Sequence, residues 1–262
     1  MIKQILVFLL LCFLSFGSLY AQGSPTSMPA RLGVSTGFRS FLIRDELESF
    51  RNFSGGAVPV GVTWEKEKGF GEWHLEAAVA MSRLTADNSR LKLKTFVSNM
   101  DVQYLTNLSR SKTGGRLSVH GGINLVNQAS SRTYAFNSPI GGQDPFTGEF
   151  FSSPELIVKL RNTIKKGRRL EWSIAWGSMA YLISRDYHPI RGFQRFRDVP
   201  KGMVFANNFL DLASSLCYSI PLTDKTILST AYKWRYLRYE RNYPFQMANH
   251  ELCVSISWAS RK

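Results

Sequence analysis

Ten stretches of this chain, each about ten residues long, alternate apolar and polar side chains, and turn-forming residues separate them. An extended strand points successive side chains to opposite faces, so a period of two marks a strand with one apolar face. Residues 116–126 show this most cleanly. Leu117, Val119, Gly121, Ile123 and Leu125 share one face, and Arg116, Ser118, His120, Gly122 and Asn124 share the other. The same alternation runs through 32–39, 58–65, 73–82, 156–164, 170–177, 210–220, 228–236 and 251–258. Within 91–105 the phase slips: Leu91 and Leu93 begin one face, whereas Phe96, Met100, Val102 and Tyr104 continue on the other. A β-bulge near Lys94 and Thr95 is the expected cause, because one extra residue shifts the alternation by one. No window comes near the ~18 consecutive apolar residues of a membrane-crossing helix.

The connections fall into two classes. Long ones at 42–56, 83–90, 127–154, 184–206 and 240–248 alternate with short ones at 65–71, 109–115, 165–168 and 221–225. In an up-and-down barrel that starts on the periplasmic side, odd connections lie outside and even ones inside. The two longest then share the outer side. The pattern predicts an all-β fold: an antiparallel up-and-down transmembrane β-barrel of about ten strands, with long outer loops and short periplasmic turns.

A soluble lipocalin-like barrel would show the same alternation with its apolar face turned inward. The polar face argues against that. It mixes Gly, Ala and Ser with both signs of charge: Arg39, Glu65, Glu76, Asp101, Arg116, Lys159, Arg161, Glu171, Asp211, Lys233, Arg235 and Glu251. Such a face suits a narrow, salt-bridged lumen better than a solvent-facing exterior. Trp64, Trp73, Trp172, Trp234, Tyr236 and Trp258 stand near strand ends on the apolar face, where membrane barrels carry aromatic girdles. From the polar set, Arg39, Glu76, Arg116, Arg161, Glu171, Lys233, Arg235 and Glu251 are expected to form a lumen charge network.

The N-terminus sets the compartment. Lys3 precedes an unbroken apolar run from Ile5 to Leu14, and Gly17, Ser18 and Ala21 lead to Gln22. This reads as a signal peptide, 1–21, removed to leave a barrel domain at 22–262. Leu11 before Cys12 does not fit a lipoprotein motif. The formal net charge is +14. In an exported chain this points to anionic envelope lipid, lipopolysaccharide included, and away from nucleic acid. The signal ending at Ala21-Gln22, the strand pattern and the last strand with Val254, Ile256 and Trp258 together resemble the small outer-membrane β-barrel proteins of Bacteroidota. The resemblance implies integral residence in the outer membrane, and it covers the mature chain as an architecture rather than through a specific motif.

Chemistry is sparse. Neither H-E-x-x-H nor C-x-x-C occurs, and the glycine pairs at 55–56, 114–115, 121–122 and 141–142 lack the lysine of a phosphate loop. No cofactor is expected. His74 and His120 fall on the lumen face. Ser184, Asp186 and His188 bring hydrolase residue types to one outer segment, without a nucleophile elbow. Cys217 and Cys253 face inward on strands separated by one other, ~9–10 Å apart from a strand spacing of ~4.8 Å. That is too far for a disulfide. Segment 184–206 carries Arg185, Arg191, Arg195, Arg197 and Lys201 among aromatics. These are candidates for binding a protein partner or lipid phosphates. The expected role is a non-enzymatic accessory or scaffold subunit of an envelope complex, acting through its outer loops. A narrow channel and an outer-leaflet lipid hydrolase are the alternatives.

Overall fold

A computed structural model describes residues 29–45, 49–68, 71–86, 92–109, 117–135, 146–164, 167–188, 192–193, 201–240 and 244–259. Residues 1–28, among them the segment expected to be a signal peptide, and the tips of the outer connections lie outside the described residues. Ten antiparallel strands close into a ring. They are β1 (Arg31–Asp45), β2 (Ser49–Ala57 continued by Val60–Lys68), β3 (Gly71–Ala86), β4 (Lys92–Asn107) and β5 (Leu117–Ala135). β6 (Phe146–Thr163), β7 (Arg169–Gly177 continued by Met179–His188), β8 (Lys201–Phe205 continued by Phe209–Pro221), β9 (Thr226–Glu240) and β10 (Pro244–Ala259) complete it. A two-residue bridge, Gly192–Phe193, adds to the free end of β7. Every strand pairs with its sequence neighbours, and β1 pairs with β10 without a break from Arg31↔Ala259 to Asp45↔Phe245. Along the membrane belt closure leaves no sheet edge among the described residues, which is the condition for strands to cross lipid.

Apolar residues cover the outside of the ring. On β3 the outward face runs from Trp73 through Leu75, Ala77 and Val79 to Met81, ~26 Å along the strand at ~3.3 Å per residue. That is close to the ~25 Å apolar band of a membrane barrel. Val34, Phe38, Ile123, Val158, Ile174, Leu216 and Val254 are exposed within the same belt. At its short-turn rim Trp73 packs on Tyr104 with ring centroids 4.8 Å apart. The short turns are locally determined. Gly167 adopts φ 73° between β6 and β7, a region that favours glycine. Between β8 and β9 the Thr223 hydroxyl accepts the backbone N–H of Thr226 at 3.0 Å. Where β4 and β5 meet, a Cβ on Gly122 would run into the Tyr104 carbonyl oxygen, so only glycine lets the backbones approach there.

Two expectations need correction. β3 and β4 pair in continuous register from Gly71↔Thr106 to Thr85↔Lys92, so there is no bulge at Lys94 and Thr95. The phase slip has another cause. Beyond the Met81↔Phe96 pair, the inward residues Leu84 and Leu93 are apolar and buried, and the outward ones, Arg83, Lys94 and Lys92, are charged and exposed. The alternation inverts because the outer solvent changes from lipid to water. The outer connections are also shorter than expected. Residues 42–45, 49–56, 83–86, 127–135, 146–154, 184–188, 201–205 and 244–248 continue the strands, so the barrel wall itself extends beyond the belt. The glycine pair at 55–56 lies in β2 and the pair at 121–122 in β5.

Candidate functional site

The inside of the barrel has two zones. The lower zone, at the short-turn end, is a polar cavity of about 280 Å³ whose walls include Arg31, Glu67, Arg169 and Ser257 at its mouth and Arg39, Asn124, Glu155 and Arg235 at its head. One wall is densely charged. On β6, Arg161 donates from Nε to Glu171 at 2.5 Å and from Nη2 to Glu72 at 2.7 Å. Lys159 Nζ sits 3.6 Å from Glu72 and 3.8 Å from Glu171. His74 lies between Glu65 (3.2 Å) and Glu76 (3.7 Å), and Lys233 donates to Glu76. Small neutral residues stand between these charges on β7, β8, β9 and β10. Ser173 meets Ser215 at 2.8 Å, and Ser219 meets Ser229 at 2.8 Å. Cys217, Ala231 and Cys253 form one cross-strand row, and both cysteines are free.

At the head of the cavity the ion pairs become buried. Arg39 pairs with Glu251 at 2.5 Å. Arg235 donates to both oxygens of Asp211, at 2.8 and 2.5 Å, and to Glu155 at 2.6 Å. Asp211 is 0 % and Glu155 1 % exposed. Asn124 Nδ2 donates to the second Glu155 oxygen at 2.8 Å. Asp101 faces the same head, and its buried Oδ1 has no hydrogen-bond partner.

Above this head the interior becomes apolar. Phe41, Ile43, Phe53, Leu84, Leu93, Val97, Val126, Phe151, Leu182, Val204, Phe209, Leu237, Phe245 and Met247 pack into one buried cluster to which every strand contributes. Phe151 meets Phe209 edge-on at 6.2 Å, and Tyr239 stacks on Phe245 at 4.8 Å. Arg132, 2 % exposed, caps the cluster. Its guanidinium lies 4.3 Å from the Phe245 ring centroid and 2.7 Å from Glu149, so a cation–π contact and an ion pair act on one side chain. Among the described residues this cluster fills the section of the barrel on the long-hairpin side of the cavity.

Of the expected network residues, Arg39 and Glu251 form one pair, Glu76 and Lys233 another, Arg161 and Glu171 a third, and Arg235 bridges Asp211 and Glu155. Arg116 lies outside the described residues, as do Arg191, Arg195 and Arg197. Arg185 belongs to β7, and Lys201 is exposed at the outer end of β8. Ser184, Asp186 and His188 fall along the same outer extension of β7. Sequence reasoning missed Glu72, Glu155 and the Arg132–Glu149 pair. Glu155 shares the phase of Lys159 and Arg161, but it lies between the expected connection at 127–154 and the expected strand at 156–164. Arg132 was hidden because its strand was read as ending at Val126. Among the described residues, no group of His, Cys, Asp and Glu is arranged to hold a metal ion.

No protein-family model matches the chain, and no curated protein matches it. Solved structures do. The outer-membrane protease OmpT from Escherichia coli superposes with a TM-score of 0.55 at 8% identity, over 92% of this chain and 99% of that one. The translocator domain of the autotransporter NalP from Neisseria meningitidis gives 0.51 at 10% identity, over 93% and 91%. At these identities the likeness concerns fold alone: this chain has the fold of outer-membrane β-barrels.

Proposed function

We infer that this chain is an outer-membrane barrel that neither conducts nor catalyses and serves as an accessory or scaffold subunit of an envelope complex for secretion, assembly or uptake. The observation that carries the reading is the apolar plug. A conduit needs a continuous polar path. Here the path ends beneath a packed core of aromatic and aliphatic side chains drawn from all ten strands. Each large side chain in that core contributes roughly 1.5–3 kcal/mol by burial, so the closure belongs to the stability of the barrel and is not a gate resting on a few contacts. The same core holds the strand extensions as a rigid rim, which suits the presentation of a surface to a partner. The arginines of 184–206, with Lys201, are the groups proposed to meet that partner or lipid phosphate.

Two measurements test the reading together. A chain tagged just after Gln22 and extracted in mild detergent is expected to co-purify with a larger envelope assembly. Recovery only as a lone monomer overturns the subunit role. In planar bilayers the purified barrel is expected to give no single-channel steps, and regular steps overturn the sealed lumen.

A further inference from the structure

The outward face of the β3–β4 hairpin combines unpaired cations with an apolar surface directly beneath them. Arg83 on β3 and Lys94 on β4 stand directly opposite each other, and Lys92 follows on the same face of β4, opposite Thr85. All three are exposed. Among the described residues no carboxylate pairs with any of them. Like charges facing each other weaken a strand pair, and an anion between them removes that cost. Opposed side chains sit ~5 Å apart and diagonal ones ~7–8 Å apart. Three cations at that spacing can surround one phosphate, and the arginine can hold two of its oxygens.

The next pair down on this face is Met81↔Phe96, with Met81 56% exposed, and the belt continues from there to Trp73 and Tyr104. A ligand satisfying both features carries its phosphate immediately above apolar chains. Two other outer cations are arranged differently: Arg44 and Arg238 are separated by the neutral Gln246 across β1, β10 and β9. Eight of the chain's 19 acidic residues line the cavity and so do eight of its 33 basic ones, so the cavity is balanced and the chain's excess positive charge lies elsewhere.

We propose that this hairpin face binds a phosphorylated lipid of the outer leaflet, with Arg83, Lys94 and Lys92 around the phosphate and acyl chains along Met81 and Phe96. The site rests on the outer-membrane reading above and adds a specific ligand class and place to it. The test uses the full mature chain folded in neutral-detergent micelles, titrated with bisphosphorylated lipid A and with the same lipid stripped of its phosphates. The phosphorylated form is expected to bind at least about tenfold more tightly, the scale set by a few surface cations near a lipid phosphate. The double variant Arg83→Gln/Lys94→Gln is expected to lose that preference. Arg238→Gln/Lys225→Gln, with the same loss of charge elsewhere, is expected to keep it. Heat-modifiable gel mobility shows that each variant is folded.

Equal binding of the two lipids overturns the site, as does an equal loss in both double variants, which would mean diffuse charge only. Competition by inorganic phosphate alone at low concentration also overturns it, in favour of a free-anion site. Cell fractionation separates the two layers of the argument. A chain found in the outer membrane without lipid preference removes this site only, whereas a chain absent from that membrane removes the reading beneath it.

Discussion

At the head of the cavity one guanidinium bonds two buried carboxylates. Removing one partner of a buried pair leaves an uncompensated charge and costs about 3–5 kcal/mol. Arg235→Gln is therefore expected to lower the urea unfolding midpoint of the barrel in micelles strongly, and Asp211→Asn less so, since Glu155 still engages the arginine. Asp101 gives the opposite sign. Its buried oxygen has no partner, so Asp101→Asn is expected to leave stability unchanged or raise it. A fall as large as that of Asp211→Asn would show that the carboxylate has a counter-charge. Gly122 tests backbone proximity rather than charge. With a Tyr104 carbonyl in the place of its Cβ, Gly122→Ala is expected to reduce the yield of folded, heat-modifiable barrel, whereas alanine at Ser118 on the same strand is expected to be tolerated.

At the scale of strands, the belt was legible in the sequence and the outer third of the wall was not. The residues of 116–126 and 73–82 alternate because one face meets lipid and the other a polar lumen. Past Met81 and Phe96 the outside is water and the inside is a core, so Leu84 and Leu93 take the inward positions and Arg83 and Lys94 the outward ones. A rule that assigns apolar residues to one fixed face reads this inversion as a bulge or as the end of a strand. That is why 127–135, with Arg132 inside and Thr133 outside, was taken for a loop. The plug gives this scale its prediction. Cys217 and Cys253 line the cavity below it. A small, membrane-impermeant thiol reagent is expected to label them from the periplasmic side and to leave them unlabelled when added outside intact cells. Labelling from outside would mean that the outer end is open. Replacing Phe41, Phe151 and Phe209 with serine together is expected to bring external labelling and conductance steps, since these rings fill the section just above the last ion pairs.

At the scale of the molecule, closure is a single statement about β1 and β10. Ser35 and Ser255 face each other across that seam, so Ser35→Cys/Ser255→Cys, in a chain whose native cysteines are serine, is expected to crosslink on oxidation. Ser35→Cys/Ser229→Cys, two strands apart, is expected not to, and the reverse result would refute the ring. The count of ten strands could be read from the chain because closure needs every neighbour to pair, and the long and short connections then alternate. Which strands meet in ion pairs could not, since Arg235 and Glu155 are 80 positions apart. The inversion at Met81 and Phe96 has one more consequence. The wall of this barrel is a single surface immersed in two solvents, so tolerance to substitution should change sign with height. A library placing lysine at every outward position and leucine at every inward one would show two complementary bands meeting along a line around the barrel. That line would mark, residue by residue, where the cell's bilayer ends.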